Sequence, residues 1–209
     1  MKRNFFVICL IACLLFTACG YGEVKIETAT DDTAQKIYVT PTAAPLPGTT
    51  GQISTSLPVC GQESIMILIS SYYAAMETGT VDELGTLVSN PERIDEKQFD
   101  KFENASDVNV IRVYALEGTG SIETIAYVYY EVFIEGIETS VPSLDELFIK
   151  NDNGTYYIYN GTLPTNEYDQ LVKLTSVEGV SELVTSVNRE FMNKMNSDEA
   201  LKEYIDGLN

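Results

Sequence analysis

The chain contains no histidine and no tryptophan. Without histidine it cannot build a Ser-His-Asp triad, a Cys-His nucleophile pair, a histidine-ligated zinc or a histidine pH switch. Acid–base chemistry is left to Asp, Glu, Lys, Tyr or Cys60. Basic residues are scarce as well. Thirteen Lys and Arg stand against 31 Asp and Glu, a formal charge of −18. Nucleic acid and anionic bilayer surfaces repel such a body, so no nucleic-acid partner is expected. Solubility is the plain consequence of the charge. Cation capture would need an ordered carboxylate motif, and none is present, so no metal site and no cofactor are expected. Cysteine is also sparse. Three of the four lie in the first 19 residues, which rules out a disulfide framework. Only Cys60 belongs to the body. A lone thiol there can pair between chains, but beside a helix start it is more often packed away.

What the chain does have is one long apolar strand pattern. At 209 residues with 44% apolar content it has room for one ordinary domain plus appendages. Ser121 to Glu135 is β-branched and aromatic throughout, which predicts a central strand. Alternation puts Ile122, Thr124, Ala126, Val128, Tyr130, Val132 and Ile134 on one face, and Ile125, Tyr127, Tyr129, Glu131 and Phe133 on the other. Both faces are apolar in the middle, so both need a cover.

The amino terminus reads as an address. Met1 to Cys19 has a basic start, a short apolar run and small residues at its end, the pattern of a secretory signal. The run is shorter than the roughly 20 residues that span a bilayer. Phe16-Thr17-Ala18-Cys19 resembles a bacterial lipobox, although Phe16 stands where an aliphatic residue is usual. Leu10-Ile11-Ala12-Cys13 is a rival that would leave a very short apolar core. An ordinary signal ending in a chance Cys is the other alternative. The resemblance implies a signal peptide over residues 1–18, a diacylglycerol on Cys19, and residence on the outer face of a bacterial membrane. Cleavage removes Lys2 and Arg3 and leaves 11 basic against 31 acidic residues. The acyl chains alone must then hold the protein to the membrane, and two chains suffice where one is marginal.

Gly20 to Pro58 has no sustained period. It is rich in Thr, Ala, Pro and Gly, a mixture that cannot bury enough to fold. Residues 19–59 are therefore expected to be a lipid-anchored tether, spanning about 35 Å root-mean-square. Its one competing signal is Lys36-Ile37-Tyr38-Val39, a strand pattern too short to stand alone.

In the body, Gln62 to Thr78 predicts a helix with Ile65, Leu68, Ile69, Tyr72 and Met76 as its apolar stripe, widened by Tyr73 and stopped by Gly79. Val81 to Leu87 predicts a second helix, capped by Thr80 with Glu83 in a capping box. Asp95 to Phe102 is a third, short candidate. Val108 to Leu116 is a strand, and Glu117 to Gly120 turns it into the central strand. Leu144 to Lys150 and Thr155 to Tyr159 follow as strands, joined by a hairpin at Asn153-Gly154. Ile137 to Thr139 extends the central strand beyond a bend at Gly136. Pro164 to Leu174 is weakly patterned. Val180 to Met195 is amphipathic, and Ser197 is the expected N-cap of a last helix. The class is α+β: N-terminal helices on a curved antiparallel sheet over residues 60–163, then a C-terminal helical extension over 164–209.

This order resembles the nuclear transport factor 2-like, or ketosteroid-isomerase-like, superfamily. The likeness rests on Ser71 to Leu84, Tyr129 to Ile134 and Gly154 to Gly161. The whole chain is also similar to lipoproteins of clostridial-type bacteria. The resemblance implies a cone-like domain with a cavity, for which Tyr72, Met76, Val128, Tyr130, Glu131 and Tyr157 are the lining candidates. It also implies a small-molecule or protein ligand and a homodimer as candidate partners. Catalytic members often use a cavity Asp or His with Tyr. Glu131 and Asp145 could replace the missing base here, with Tyr72, Tyr130 and Tyr157 as donors. Strand tyrosines ordinarily pack with the hydroxyl at the rim, and both carboxylates are expected to be solvated. No catalytic residue is assigned. A membrane-anchored binding module is the leading expectation, and an isomerase or dehydratase is the alternative.

Overall fold

The computed structural model describes residues 53–208. The expected signal peptide, Cys19 and the tether up to residue 52 lie outside the described residues. Among the described residues no helix is long and apolar enough to cross a membrane.

Four strands form one antiparallel sheet in sequence order: β1 Ala105–Glu117, β2 Thr124–Ile134, β3 Val141–Asp152 and β4 Thr155–Ile158. The sheet curls into a half-barrel with helices on it, an α+β, cone-like architecture as expected. Two helices precede it, α1 Glu63–Thr78 and α2 Val81–Leu87, with 3₁₀ turns at Pro91–Arg93 and Glu96–Phe102. Three follow it: α3 Thr165–Thr175, α4 Glu178–Ser197 and α5 Glu199–Gly207.

β2 is buried along nearly its whole length, and its two faces belong to two separate cores. On the first face Ala126, Val128, Tyr130 and Val132 join Ile65, Leu68, Ile69, Tyr73 and Met76 of α1. On the second face Ile125, Tyr127 and Tyr129 join Leu171 of α3 and Leu183 and Val187 of α4. Each of these large side chains contributes about 1.5–3 kcal/mol by leaving water. The second face is thus covered by the chain's own C-terminal helices. Phe191, further along α4, does not join this second core. It joins the first core, as do Leu201 and Ile205 of α5.

Local differences from the sequence reading have identifiable causes. Ile122 packs in the second core because β2 begins only at Thr124. The preceding turn brings Gly118 N to 2.8 Å from Glu123 O. A Cβ on Gly118 would stand 2.4 Å from the Ile122 carbonyl, so only glycine fits there. Ile137 to Thr139 lies in the turn between β2 and β3 and extends neither. Pro142 opens β3 opposite Glu131, at a level that β4 does not reach, so its missing N–H costs no ladder bond. Thr80 sits at the start of α2 but makes no side-chain cap. Asp198, not Ser197, caps α5, accepting from Leu201 N at 3.1 Å. Gly79 does end α1, in the left-handed region at φ 67°.

Residues 53–59, placed by composition with the tether, lie on the body. Ser54 N donates to Ser186 Oγ at 3.0 Å, and Thr55 Oγ1 to Gly179 O at 2.6 Å. Leu57 is buried in the second core. Val59 bridges Tyr114 of β1.

Candidate functional site

Two clusters bring a lysine to a carboxylate of the sheet, one on each face. The first is built around Asp145 of β3. Val128 pairs with Asp145, and Tyr130 with Ser143. This register puts Asp145 on the same face as the Tyr130 ring. Tyr73 comes from α1, one residue beyond the Tyr72 of the expected stripe. Its hydroxyl donates to Asp145 Oδ2 at 2.7 Å, and the Tyr130 hydroxyl lies 3.3 Å from Oδ1. The rings of Tyr73 and Tyr130 pack with centroids 4.8 Å apart and planes tilted by 46°, and Phe102 leans on both.

Lys101 completes this cluster. The 3₁₀ turn Glu96–Phe102 is capped by Asp95, whose Oδ1 accepts from Lys97 N at 3.0 Å. The turn sets Phe102 into the core and delivers Lys101 beside it. Lys101 forms an ion pair with Asp145 and lies 5.1 Å from the Tyr130 ring centroid, within cation–π range. Both charged side chains keep about a fifth of their surface exposed, 19% and 21%. Asp145 was expected to be solvated; it is instead engaged by two phenols and an ammonium. Burial, followed by the negative charge of Asp145, pushes the Tyr72 phenol up to about 12 and raises Tyr73 and Tyr130 as well. All three stay protonated at neutral pH, and Tyr73 and Tyr130 turn their hydroxyls to Asp145 as donors.

The second cluster lies under α4. Lys194 reaches across the second face to Glu131 of β2 at 2.7 Å, and to Ser140 Oγ at 2.9 Å. Ser140 donates in turn to Glu131 Oε2 at 3.0 Å. Glu190, one turn earlier on α4, is buried 3.9 Å from the same ammonium. Among the described residues its carboxylate receives no hydrogen bond of ordinary geometry. Burial, then Glu190 and Glu131, push the nearby Tyr129 phenol up. Glu131 was expected to be solvated; it is buried at 9% exposure, because α4 covers it. A third pair, Tyr127 donating to Glu146 Oε1 at 2.8 Å, lies on the same face.

The six lining candidates therefore separate. Tyr72, Met76, Val128 and Tyr130 share the α1 side, with Met76, Val128 and Tyr130 buried and Tyr72 half-buried. Glu131 is on the opposite face. So is Tyr157, half-buried on β4 and paired with Lys150. Tyr73, Lys101, Ser140, Glu190 and Lys194 were not singled out. Only Tyr73 had a visible signal, since it widens the α1 stripe. The lysines meet carboxylates 44 and 63 residues away, which no spacing rule detects. Cys60 is buried where the entering chain meets β1, and burial raises its thiol. Among the described residues no group of three or more Cys, Asp or Glu could hold a metal ion.

Chemically, the first cluster can orient and donate. Its phenols and ammonium present positive hydrogens, and its one carboxylate is already taken. No family model matches the chain, and neither a curated protein nor a solved structure matches it.

Proposed function

We propose that this is a lipoprotein of the outer face of a bacterial membrane, held by an acylated Cys19, whose nuclear transport factor 2-like body is a non-enzymatic binding or interaction module. The observation that carries the non-enzymatic reading is that the two carboxylates considered as bases are both neutralised by lysine. Lys101 holds Asp145 and Lys194 holds Glu131. A carboxylate whose oxygens already hold an ammonium and a hydroxyl is poorly placed to take a proton from a substrate, because those partners occupy its lone pairs. The anchor reading is supported by the basic start, apolar run and terminal Ala18-Cys19. The body carries 27 acidic and nine basic residues, so an anchor rather than charge must keep it at an anionic surface.

A second reading has its own support. Asp145 accepts from Tyr73 and lies within reach of Tyr130, the elements of a carboxylate–phenol acid–base site. One experiment separates the two. The chain is purified with its native envelope lipids and metabolites, and what it retains is identified by mass spectrometry. Binding predicts a ligand released chemically unchanged after prolonged incubation. Conversion of that ligand, abolished in Asp145→Asn, would replace the module with an enzyme. Labelling with a fatty-acid probe tests the anchor: the wild type takes label, and label retained by Cys19→Ala refutes the assignment.

A further inference from the structure

The tripeptide Asn-Gly-Thr occurs twice in the chain, at residues 153–155 and at 160–162. Asparagine before glycine is the pair most open to deamidation, because glycine has no side chain to shield its backbone nitrogen. The fold treats the two copies differently. Asn160 is pinned. Its Oδ1 accepts from Asn90 N at 2.8 Å and from Ser89 Oγ at 3.2 Å, and its Nδ2 donates to Asn90 O at 2.7 Å. The Tyr159 side chain folds over Gly161, so that a Cβ on this glycine would stand 2.6 Å from the phenol. Asn153 instead sits at the exposed tip of the β3–β4 hairpin. It and Gly154 both have positive φ, 53° and 92°, in the two-residue turn that lets Asp152 pair with Thr155. Its Nδ2 donates to Oδ1 of the neighbouring, equally exposed Asp152 at 3.1 Å.

We propose that Asn153 is a site of spontaneous deamidation and that Asn151 restrains the reaction. Gly154 N, giving up its proton, attacks Asn153 Cγ. The new C–N bond closes a cyclic imide, the Cγ–Nδ2 bond breaks, and Nδ2 leaves as ammonia with the proton. Water then opens the imide on either side. Opening at Cγ leaves aspartate. Opening at the main-chain carbonyl leaves isoaspartate, with the backbone rerouted through Cβ and Cγ. Water is the sole co-reactant, and the tip is exposed to it. The restraint acts on the attacking nitrogen. Gly154 N donates to Asn151 Oδ1 at 2.8 Å, so this bond must open before the nitrogen can lose its proton.

Both products change the hairpin. Each removes the Nδ2 donor that now faces Asp152 and puts a carboxylate in its place, so like charges stand side by side. Isoaspartate also adds a methylene to the backbone of a two-residue turn, whose length fixes the register of β3 and β4. That register sets Ile149 opposite Ile158, and both are buried in the first core. Deamidation therefore loosens β4 from its turn end. The inference is independent of what the body binds and of how it is anchored.

Incubation of the full chain in detergent at mildly alkaline pH tests this, with isoaspartate and aspartate mapped by digestion and mass spectrometry. Asn153 should convert at least about tenfold faster than Asn160, whose side chain is held by three hydrogen bonds. In urea, where both tripeptides are free, the two rates should converge. Asn151→Ala should speed conversion at Asn153 about fivefold, the factor that one ordinary hydrogen bond commands. Asn151→Asp keeps an acceptor oxygen and should hold the slow rate. Equal rates at the two asparagines of the folded chain overturn the site, and so does an Asn153 that stays intact in the folded chain while the chain in urea converts. An Asn151→Ala rate equal to that of the wild type, or an Asn151→Asp rate as fast as that of the alanine variant, overturns the restraint.

Discussion

Lys194 Nζ on α4 lies 2.7 Å from Glu131 Oε1 on β2, joining the covering helix to the strand that divides the two cores. Both side chains are largely buried, at 15% and 11% exposure, and Glu190 adds a second carboxylate beside the same ammonium. Replacing a buried pair whole can be neutral, but removing one partner strands the other. Lys194→Met should therefore lower unfolding free energy by about 3–5 kcal/mol. Adding Glu131→Gln to Lys194→Met should recover part of the loss. Urea unfolding of the three proteins measures this. A Lys194→Met variant as stable as the wild type would mean that water already solvates the cluster.

The Asp145 cluster makes a different prediction. Asp145→Ala orphans the hydroxyl of fully buried Tyr73 and releases Lys101. Each stranded buried donor costs about 1–3 kcal/mol. Tyr73→Phe removes donor and bond together and leaves Lys101 to hold the carboxylate, so it should cost less than Asp145→Ala. Thermal unfolding would rank them, and the reverse order would contradict the bonding described for Asp145.

How much of this was legible follows from the size of each apolar face. β2 and α4 bury residue after residue at a fixed period, so periodicity finds them. α3 buries only Leu171, while Tyr168 and Val172 point to solvent, so its pattern looks weak although the helix is regular. Ile53 to Val59 follows β1 and α4 without becoming a regular element, and composition alone places it in the tether. In the site, Val128 and Tyr130 share a face by simple alternation, but Glu131 necessarily points the other way. A lining set mixing adjacent strand residues could not meet in one cavity. The lysines that neutralise the carboxylates arrive from a 3₁₀ turn and a distant helix, and such meetings depend on tertiary geometry.

Asp198 gives a pH prediction. The Thr139 side chain, then the Leu201 amide, hold its carboxyl below the usual aspartate range. A depressed folded-state value contributes stability above the unfolded value of about 3.9, and that contribution is lost as pH falls through the lower folded value. Asp198→Asn keeps an N-cap but loses the charge at the start of α5. The melting-temperature advantage of the wild type over Asp198→Asn should be present at pH 7 and shrink below about pH 4. A difference that stays constant from pH 7 to pH 3 would show that charge plays no part in the cap.

The last prediction concerns the second face of the sheet. Tyr127, Tyr129, Ile125 and Tyr114 make an aromatic strip covered by Leu183 and Val187 of α4, both with no measurable exposure. Truncating either residue to alanine should cost about 2–5 kcal/mol for leucine and less for valine, since a cavity remains between helix and sheet. Deleting Glu178 to Asn209 goes further and uncovers the whole strip. It also removes Lys194, leaving Glu131 with only Ser140, and strips Ser54 to Ser56 of their partners on α4. An apolar face of that extent is sticky in water. The truncated chain should aggregate or self-associate, with increased binding of a hydrophobic dye, while the Leu183→Ala protein stays monomeric but less stable. Sedimentation velocity and dye fluorescence report both. A truncated chain that sediments as the same monomer and binds no more dye would mean that α4 and α5 are dispensable to the sheet, and the two-core description would fail.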